Sequence, residues 1–454
     1  MLTLFLLMTL SFAMSLMTLT RLTFQAFYKC RNDKNKANKR LIPDKSPNEN
    51  EEDAIVYHEL LEVETHFYKI KMHPISTLTW FKGDYNKAKS ILHHRIKLVI
   101  EKNPWLQGRI ILQRKGRIEK GYLCYHKHHP VNVENYLETV DPKTSPITRD
   151  TPVGKLDGEL LHFMIENGPQ EPLFRVCIIP CQKFPNKIFG LSFQMSHVIG
   201  DGVSYYQLLR MFCSIDEEHI IKLNPVRNMK LRKQQIEILG RKEEGMLTSK
   251  TSTLSFTIGF LWAKLMSTPT QHQFALVDTS KIEKAKIFAA REGRVDFVST
   301  NDVITSWFFN QTSCKNARMA INWRNRLDGL NETDAGNYLN VIFYQQKDYA
   351  SPALIRKSLS TFRRAVTKEL PGFSSLFRQT AAITNWSSFS FPNEIEGCEE
   401  DLHLPIAPTK YIPANLIYLR IFRAGKGKLG LQCCQTSGIN HLDFAHFLKD
   451  EQFN

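Results

Sequence analysis

Of the fifteen histidines in the chain, His197 has the neighbours that chemistry would need. The stretch from Lys187 to Met211 reads KIFGLSFQMSHVIGDGVSYYQLLRM. Phe189, Leu191, Phe193, Met195 and His197 alternate with Ser192, Gln194 and Ser196, the period of two that marks a strand. Gly200-Asp201-Gly202 breaks that strand, and Val203, Tyr206, Leu209 and Arg210 then take up helical spacing. An imidazole where a strand gives way to a turn can serve as a general base. With a reference pKa of about 6.5 it is neutral near pH 7 and can accept a proton from a hydroxyl, amine or thiol. The same placement suits a hydrogen-bonded core histidine, the commoner use of a lone histidine on an apolar face. Asp201 has two readings as well. It can orient the imidazole, or it can take a bidentate arginine and lock the loop.

The elements that would position these residues follow from size and pattern. At 454 residues the chain exceeds one ordinary core, and two domains of roughly 200 residues are expected. The net charge of +15 is partly local: eight basic residues between Arg21 and Lys45 oppose only Asp33 and Asp44. The remaining positive charge suits an anionic substrate such as a phosphorylated cofactor, and no nucleic-acid recognition motif accompanies it. The nine cysteines are scattered, with no CxxC or Cys/His spacing for zinc, and read as free thiols in a reduced compartment. Sequons at Asn310, Asn331 and Asn385 are about as many as chance supplies.

Met1 to Thr20 carries no charged side chain and is long enough to span a bilayer. Positive charge follows rather than precedes it, which predicts an uncleaved anchor over 1–28 with the body on the cytosolic side, at the endoplasmic reticulum or another endomembrane. A cleaved signal peptide is the competing reading. Residues 29–54 read as a basic, polar linker. The globular part then divides into 55–215, a crossover over 216–272, and 273–454. In the first part Ile75–Phe81 is an expected strand, Asn86–Lys102 a helix, Arg109–Leu112 and Gly121–Tyr125 a hairpin, and Phe174–Ile179 a further strand. In the crossover, Leu254–Met266 (LSFTIGFLWAKLM) is apolar but too short to span; it reads as a buried helix, or as a second membrane contact or the wall of a lipid-binding cavity. In the last part strands are expected at Phe274–Val277, Met319–Trp323 and Tyr338–Gln345, and a hairpin at Leu416–Phe422 and Leu429–Cys434. Helices are expected at Ser280–Arg291, after the Ser299–Asp302 caps, over Ser351–Leu370 and over Leu442–Leu448. Strands and helices mixed in two similar halves predict an α/β (α+β) fold.

These motifs, taken in order, resemble a known family. FQMSHVIGDGVSYYQLL resembles the active-site motif of the chloramphenicol acetyltransferase-like superfamily, most closely its acyl-CoA-dependent BAHD branch. VSTNDVITSWFF (298–309) resembles the helix that opens that family's second domain. AINWRNRL (320–327) and AGNYLNVIF (335–343) resemble its arginine strand and Gly-Asn strand, ITNWSSF (383–389) a segment with a typical tryptophan, and NPWLQGRI (103–110) the turn after its first helix. There are two departures. Ser196 stands where condensation domains and wax-ester synthases have the first of paired histidines, and the Asp-Phe-Gly-Trp-Gly segment has no counterpart in PNEIEGCEEDLHLP (392–405).

The resemblance implies two similar domains, each a mixed β-sheet flanked by helices, with the active site in a channel between them. It implies an acyltransferase that moves an acyl group from acyl-CoA, as co-substrate, to a hydroxyl or amine, with no metal and no permanently bound cofactor. His197 would be the base. Asp201, followed by Gly202, would be structural and paired with Arg324. Asn340, with Asn337 as its rival, would lie near the cofactor channel. Thr384, Trp386 and Ser387 are the candidate oxyanion donors. The anchor and the 254–266 segment point to a lipophilic acceptor or a fatty acyl donor, in a monomer. The rival functions are a condensation-type domain fed by a carrier-protein thioester, and a binding protein of the same fold.

Overall fold

A computed structural model of the chain describes residues 55–436 apart from 117, 142, 144–146, 153–154, 157–159, 161–164, 166–167, 169–170, 247–248, 371–378 and 407–411. The expected anchor, the linker and the helix over 442–448 lie outside the described residues.

The described chain runs β1 (Ile55–Glu59), α1 (Glu62–Lys69), β2 (Ile75–Lys82), α2 (Tyr85–Lys102), β3 (Arg109–Lys115), β4 (Ile118–His126), β5 (Leu137–Thr139), β6 (Phe174–Pro180), β7 (Ile188–Met195) and α3 (Gly202–Phe212). It continues with α4 (Leu231–Leu239), α5 (Arg241–Glu244), α6 (Lys250–Leu265), β8 (Thr270–Leu276), α7 (Thr279–Gly293), α8 (Thr300–Thr312), β9 (Asn316–Asn322) and β10 (Leu339–Tyr344). The last elements are α9 (Pro352–Thr361), β11 (Thr380–Asn385), β12 (Glu399–Ile406), β13 (Leu416–Gly425) and β14 (Lys428–Thr436).

Two mixed sheets carry the molecule. The first has the order β12-β2-β7-β6-β5 and the second β10-β9-β11-β13-β14-β8, with β1, β4 and β3 in a small third sheet. β7 is central and buried on both faces, which is why its Ser192 and Gln194 positions are as enclosed as Phe189 and Phe193. One face packs Phe189, Leu191 and Phe193 against Phe174, Tyr205 and Phe212. The other face joins Leu78, Trp80 and Ile179 to Phe422 and Ala424 of β13, so the two sheets share apolar core.

The topology departs from a cut at residue 272. β12, from the half expected to form the second domain, pairs antiparallel with β2 in the first sheet, with His403 directly opposite Thr79. This strand occupies the region where the Asp-Phe-Gly-Trp-Gly segment has no counterpart. Leu402, Leu404 and Ile406 are buried against the first sheet's core, so burial of that row fixes the strand's register.

Three local expectations change. The helix expected over Ser351–Leu370 ends at Thr361, where Phe362 takes a left-handed φ of 54°. Asp348 then accepts hydrogen bonds from the amides of Val366 and Thr367, and Arg364 pairs with Glu243, pulling the chain off the helical path. β8 starts four residues earlier than the sequence pattern predicts because Thr270–Leu276 pairs along β14. The apolar helix α6 is not buried all round: Leu254, Leu261 and Trp262 are about half exposed, at 50%, 51% and 53%.

Candidate active site

β7 ends at Met195, and His197 occupies the turn between it and α3. Asp201 is the N-cap of α3. Its Oδ1 accepts hydrogen bonds from the amides of Val203 and Ser204 at 3.1 and 3.2 Å. Its Oδ2 accepts from Arg324 Nη1 at 2.7 Å and from the Tyr338 amide at 3.0 Å. Both side chains of this ion pair are essentially inaccessible. Arg324 spends its other donors on the carbonyls of Asp334 and Gly336 and on Ser204 Oγ, all within 3.1 Å. The carboxylate is thus fully used by backbone amides and one guanidinium, and none of its hydrogen bonds goes to His197.

The partner of His197 is Asn337, just before β10. Asn337 Nδ2 donates to the His197 carbonyl at 2.8 Å and to Glu64 Oε1 at 3.3 Å. That orients the amide so that its oxygen faces the ring, 3.0 Å from His197 Nδ1. An amide oxygen cannot donate, so Nδ1 carries the proton and Nε2 carries the lone pair. Among the described residues Nε2 has no hydrogen-bond partner. Phe67 of α1 meets the ring edge-on, with centroids 5.2 Å apart. The residue as a whole is partly buried. Burial lowers its pKa, with a smaller push from Arg420; Asp201 and the Asn337 hydrogen bond act in the opposite sense. The ring is therefore held neutral and able to accept a proton.

Behind Asn337 lies a buried pair that no sequence motif announces. Glu64 Oε2 takes Arg227 Nε at 2.9 Å, with both side chains at 0% exposure. Glu64 Oε1 also accepts from the Asn337 amide at 2.9 Å, and Arg227 Nη2 donates to the Ile199 carbonyl at 3.0 Å. Glu64 thus grips Asn337 while Arg227 grips the histidine loop. Gly336 sits between them with φ of +149°, a conformation that L side chains rarely adopt; a Cβ there would also fall 3.3 Å from both Arg227 Nε and Glu64 Oε1. Glu64 and Arg227 are 163 residues apart in sequence, and neither belongs to a local pattern.

The other expected residues are distributed as follows. Gly202 lets the start of α3 approach the second half: a Cβ there would lie 3.0 Å from Phe389 and 3.5 Å from Trp386 Nε1. Of the three oxyanion candidates, Trp386 is therefore beside the histidine's loop. Ser387 Oγ donates to Asn385 Oδ1 at 2.7 Å, and Thr384 is hydrogen-bonded with Tyr418. Asn340 lies on β10, with Nδ2 3.3 Å from Gln235 Oε1, whereas Asn337 is the residue in contact with His197. Arg420 of β13, opposite Thr384 of β11, lies over the Trp386 ring at 5.1 Å; sequence reasoning did not single it out.

A second enclosed histidine contrasts with the first. His403 of β12 is fully buried, with Nε2 3.0 Å from Tyr206 Oη and Nδ1 2.8 Å from Thr79 Oγ1. Burial, reinforced by Arg423, depresses its pKa to about 3.

No protein-family model matches the sequence, and no curated protein matches it. Solved structures do match. F. graminearum TRI101 complexed with ethyl coenzyme A is similar with a TM-score of 0.58 at 12% identity, over 85% of this chain and 96% of that one. Vinorine synthase is similar at 0.52 and 13% identity, over 88% and 94%. The first condensation domain of the CDA synthetase is similar at 0.51 and 11% identity, over 85% and 92%.

Proposed function

On the chloramphenicol acetyltransferase-like fold that this chain adopts, we propose that His197 catalyses transfer of an acyl group from acyl-CoA to the hydroxyl or amine of a lipophilic acceptor. The observation that carries this reading is the contact between Asn337 Oδ1 and His197 Nδ1, which assigns the proton to Nδ1 and leaves the lone pair on Nε2. His197 Nε2 removes the acceptor's proton as the acceptor oxygen or nitrogen attacks the thioester carbonyl carbon. The carbonyl oxygen becomes an oxyanion, and Trp386 Nε1 is its donor. Collapse of the intermediate breaks the carbon–sulfur bond, and the protonated imidazole returns its proton to the departing CoA sulfur. The products are the ester or amide and free CoA. No covalent enzyme intermediate forms. Asp201 and Arg324 serve by fixing the loop, and Glu64 and Arg227 by fixing Asn337.

Acyl-CoA as donor is supported by the coenzyme A ligands named in the TRI101 structures. The likeness to a condensation domain raises a carrier-bound thioester as the alternative donor. Ser196 supports the first choice, because it stands where condensation domains have the first of their paired histidines; its side chain is buried and its Oγ accepts from the Val198 amide at 3.3 Å. The reading is tested by offering the purified full chain free acyl-CoAs of several lengths and, separately, acyl-pantetheinyl carrier protein. A panel of alcohols and amines supplies the acceptor, and mass spectrometry follows the products. His197-dependent acyl transfer from free acyl-CoA is expected. Transfer from the carrier alone would replace the donor, and an acceptor that binds without ever being acylated would reduce the protein to a binding fold.

A further inference from the structure

Helix α6 is built inside out. Its inward positions are small or polar. Ser252 Oγ donates to the Met246 carbonyl at 2.7 Å, Ser255 Oγ accepts from Asn415 Nδ2 at 3.2 Å, Ala263 is fully buried, and a side chain on Gly259 would collide with Asn415 and Pro413. Its outward positions are large and apolar. Leu254, Ile258, Leu261, Trp262 and Leu265 fall at intervals of four, three, one and three, which is a single stripe on a helix. Together with Met266 just past the end, these residues are 41–71% exposed. A surface helix of a soluble protein has the opposite arrangement, and contiguous exposed apolar surface of this kind marks a binding face.

Length and charge say what covers it. Sixteen residues make about 24 Å of helix, short of the roughly 30 Å hydrocarbon core, and among the described residues no helix is long and apolar enough to cross a membrane. The helix can lie on a bilayer but not span it. From Gly245 to Val277 there is no acidic residue, and exposed Lys264 sits among the apolar side chains with its ammonium 4.8 Å from the Phe260 ring. Upstream, the sequence supplies twenty uncharged residues and then the basic run from Arg21 to Lys45. An apolar face with an exposed lysine and a tryptophan on it has the parts of an interfacial helix facing anionic headgroups. A second copy is a poorer occupant. Six partly exposed side chains offer a few hundred Å², against the ~800 Å² per partner of a stable protein interface.

We propose that α6 is a membrane-docking face. Leu254, Ile258, Leu261, Trp262 and Leu265 enter the boundary between headgroups and acyl chains of an anionic bilayer, and Lys264 meets the lipid phosphates. The proposal rests on exposure and charge alone, so it stands or falls separately from acyl transfer by His197. Its consequence for that reaction is that a lipophilic acceptor is collected from the bilayer.

The chain contains its own probe. Of its six tryptophans, Trp80, Trp105, Trp307, Trp323 and Trp386 are at most 9% exposed, and Trp262 is 53% exposed. The full chain is mixed with vesicles of phosphatidylcholine and phosphatidylserine whose acyl chains are brominated or not. Bromine should quench part of the tryptophan emission, and Trp262→Phe should abolish the quenchable part. Leu261→Glu with Leu265→Glu, a pair of surface changes that leaves the core intact, should also abolish it even if the protein still sediments with the vesicles. Equal emission in both vesicles, or quenching that survives Trp262→Phe, overturns the proposal. So does emission from Trp262 that is already shielded from iodide without lipid: at all protein concentrations this assigns the face to another segment of the chain, and only at high concentration to a second copy.

Discussion

His197 and His403 are both enclosed histidines next to strands of the first sheet, and burial lowers the pKa of both. They differ in what is done with the second nitrogen. His403 has both ring nitrogens in hydrogen bonds, to Thr79 and Tyr206, and ties β12 to its neighbours. His197 has Nδ1 engaged by Asn337, while Nε2 has no hydrogen-bond partner among the described residues. A histidine satisfied at both nitrogens is a structural hydrogen-bonding group. One satisfied at a single nitrogen, in a fixed tautomer, is a base that awaits a proton. Supporting groups follow the same division. Behind His197 lie two buried ion pairs, Asp201–Arg324 and Glu64–Arg227; His403 is framed by a hydroxyl on each side.

The contrast can be broken or sharpened by substitution. His197→Ala should cost about 10²–10⁴-fold in acyl transfer while unfolding stability changes by no more than about 1 kcal/mol, read from CoA release and a urea titration. Asp201→Ala leaves Arg324 buried without its partner and should destabilise by about 3–5 kcal/mol in the same titration; a stability like that of the parent would mean the pair holds nothing. Trp386→Phe should lower kcat by about 10²–10³-fold with KM little changed, the pattern of a donor used in the transition state.

His403→Leu reverses the pattern of His197→Ala. Activity should stay within a few-fold of the parent, and stability at neutral pH should fall by about 1–3 kcal/mol as Thr79 and Tyr206 lose their partner. The pH dependence has a definite sign. His403 binds a proton in the unfolded chain below its ordinary value of 6.5, but in the fold only near 3. Its contribution to stability is complete above about pH 6.5 and is lost as pH falls toward 3, at up to about 1.4 kcal/mol per pH unit. His403→Leu should remove that part of the acid sensitivity; an unchanged slope would show that His403 is not what acid attacks.

Much of this site was legible from the sequence because it is local. Alternation in β7, the glycine turn and the helical spacing after it all fall within twenty-five residues, and together they place His197 at a strand end with Asp201 in the turn before a helix. What escaped was long-range. Glu64 and Arg227 pair across 163 positions, and no period marks them. Asn337 and Asn340 stand three residues apart, so a strand pattern alone could not say which one meets the ring; the irregular backbone at Gly336 does. β12 was missed as a strand of the first sheet because its partner β2 lies more than three hundred residues away. For α6 the sequence leaves burial and membrane contact both open, and the large apolar side chains turn out to be exposed. The small residues of the helix take the inside.

The acid limb of the pH profile of kcat/KM tests the assignment of His197 most directly, measured for the parent chain and for Asn337→Ala with acyl-CoA as the varied substrate. A base held neutral by burial, and raised slightly by its hydrogen bond to Asn337, gives a limb below pH 6.5 that moves to still lower pH when Asn337 is removed. A limb at or above 6.5, or one that ignores position 337, would contradict the account and take the reaction's proton away from His197.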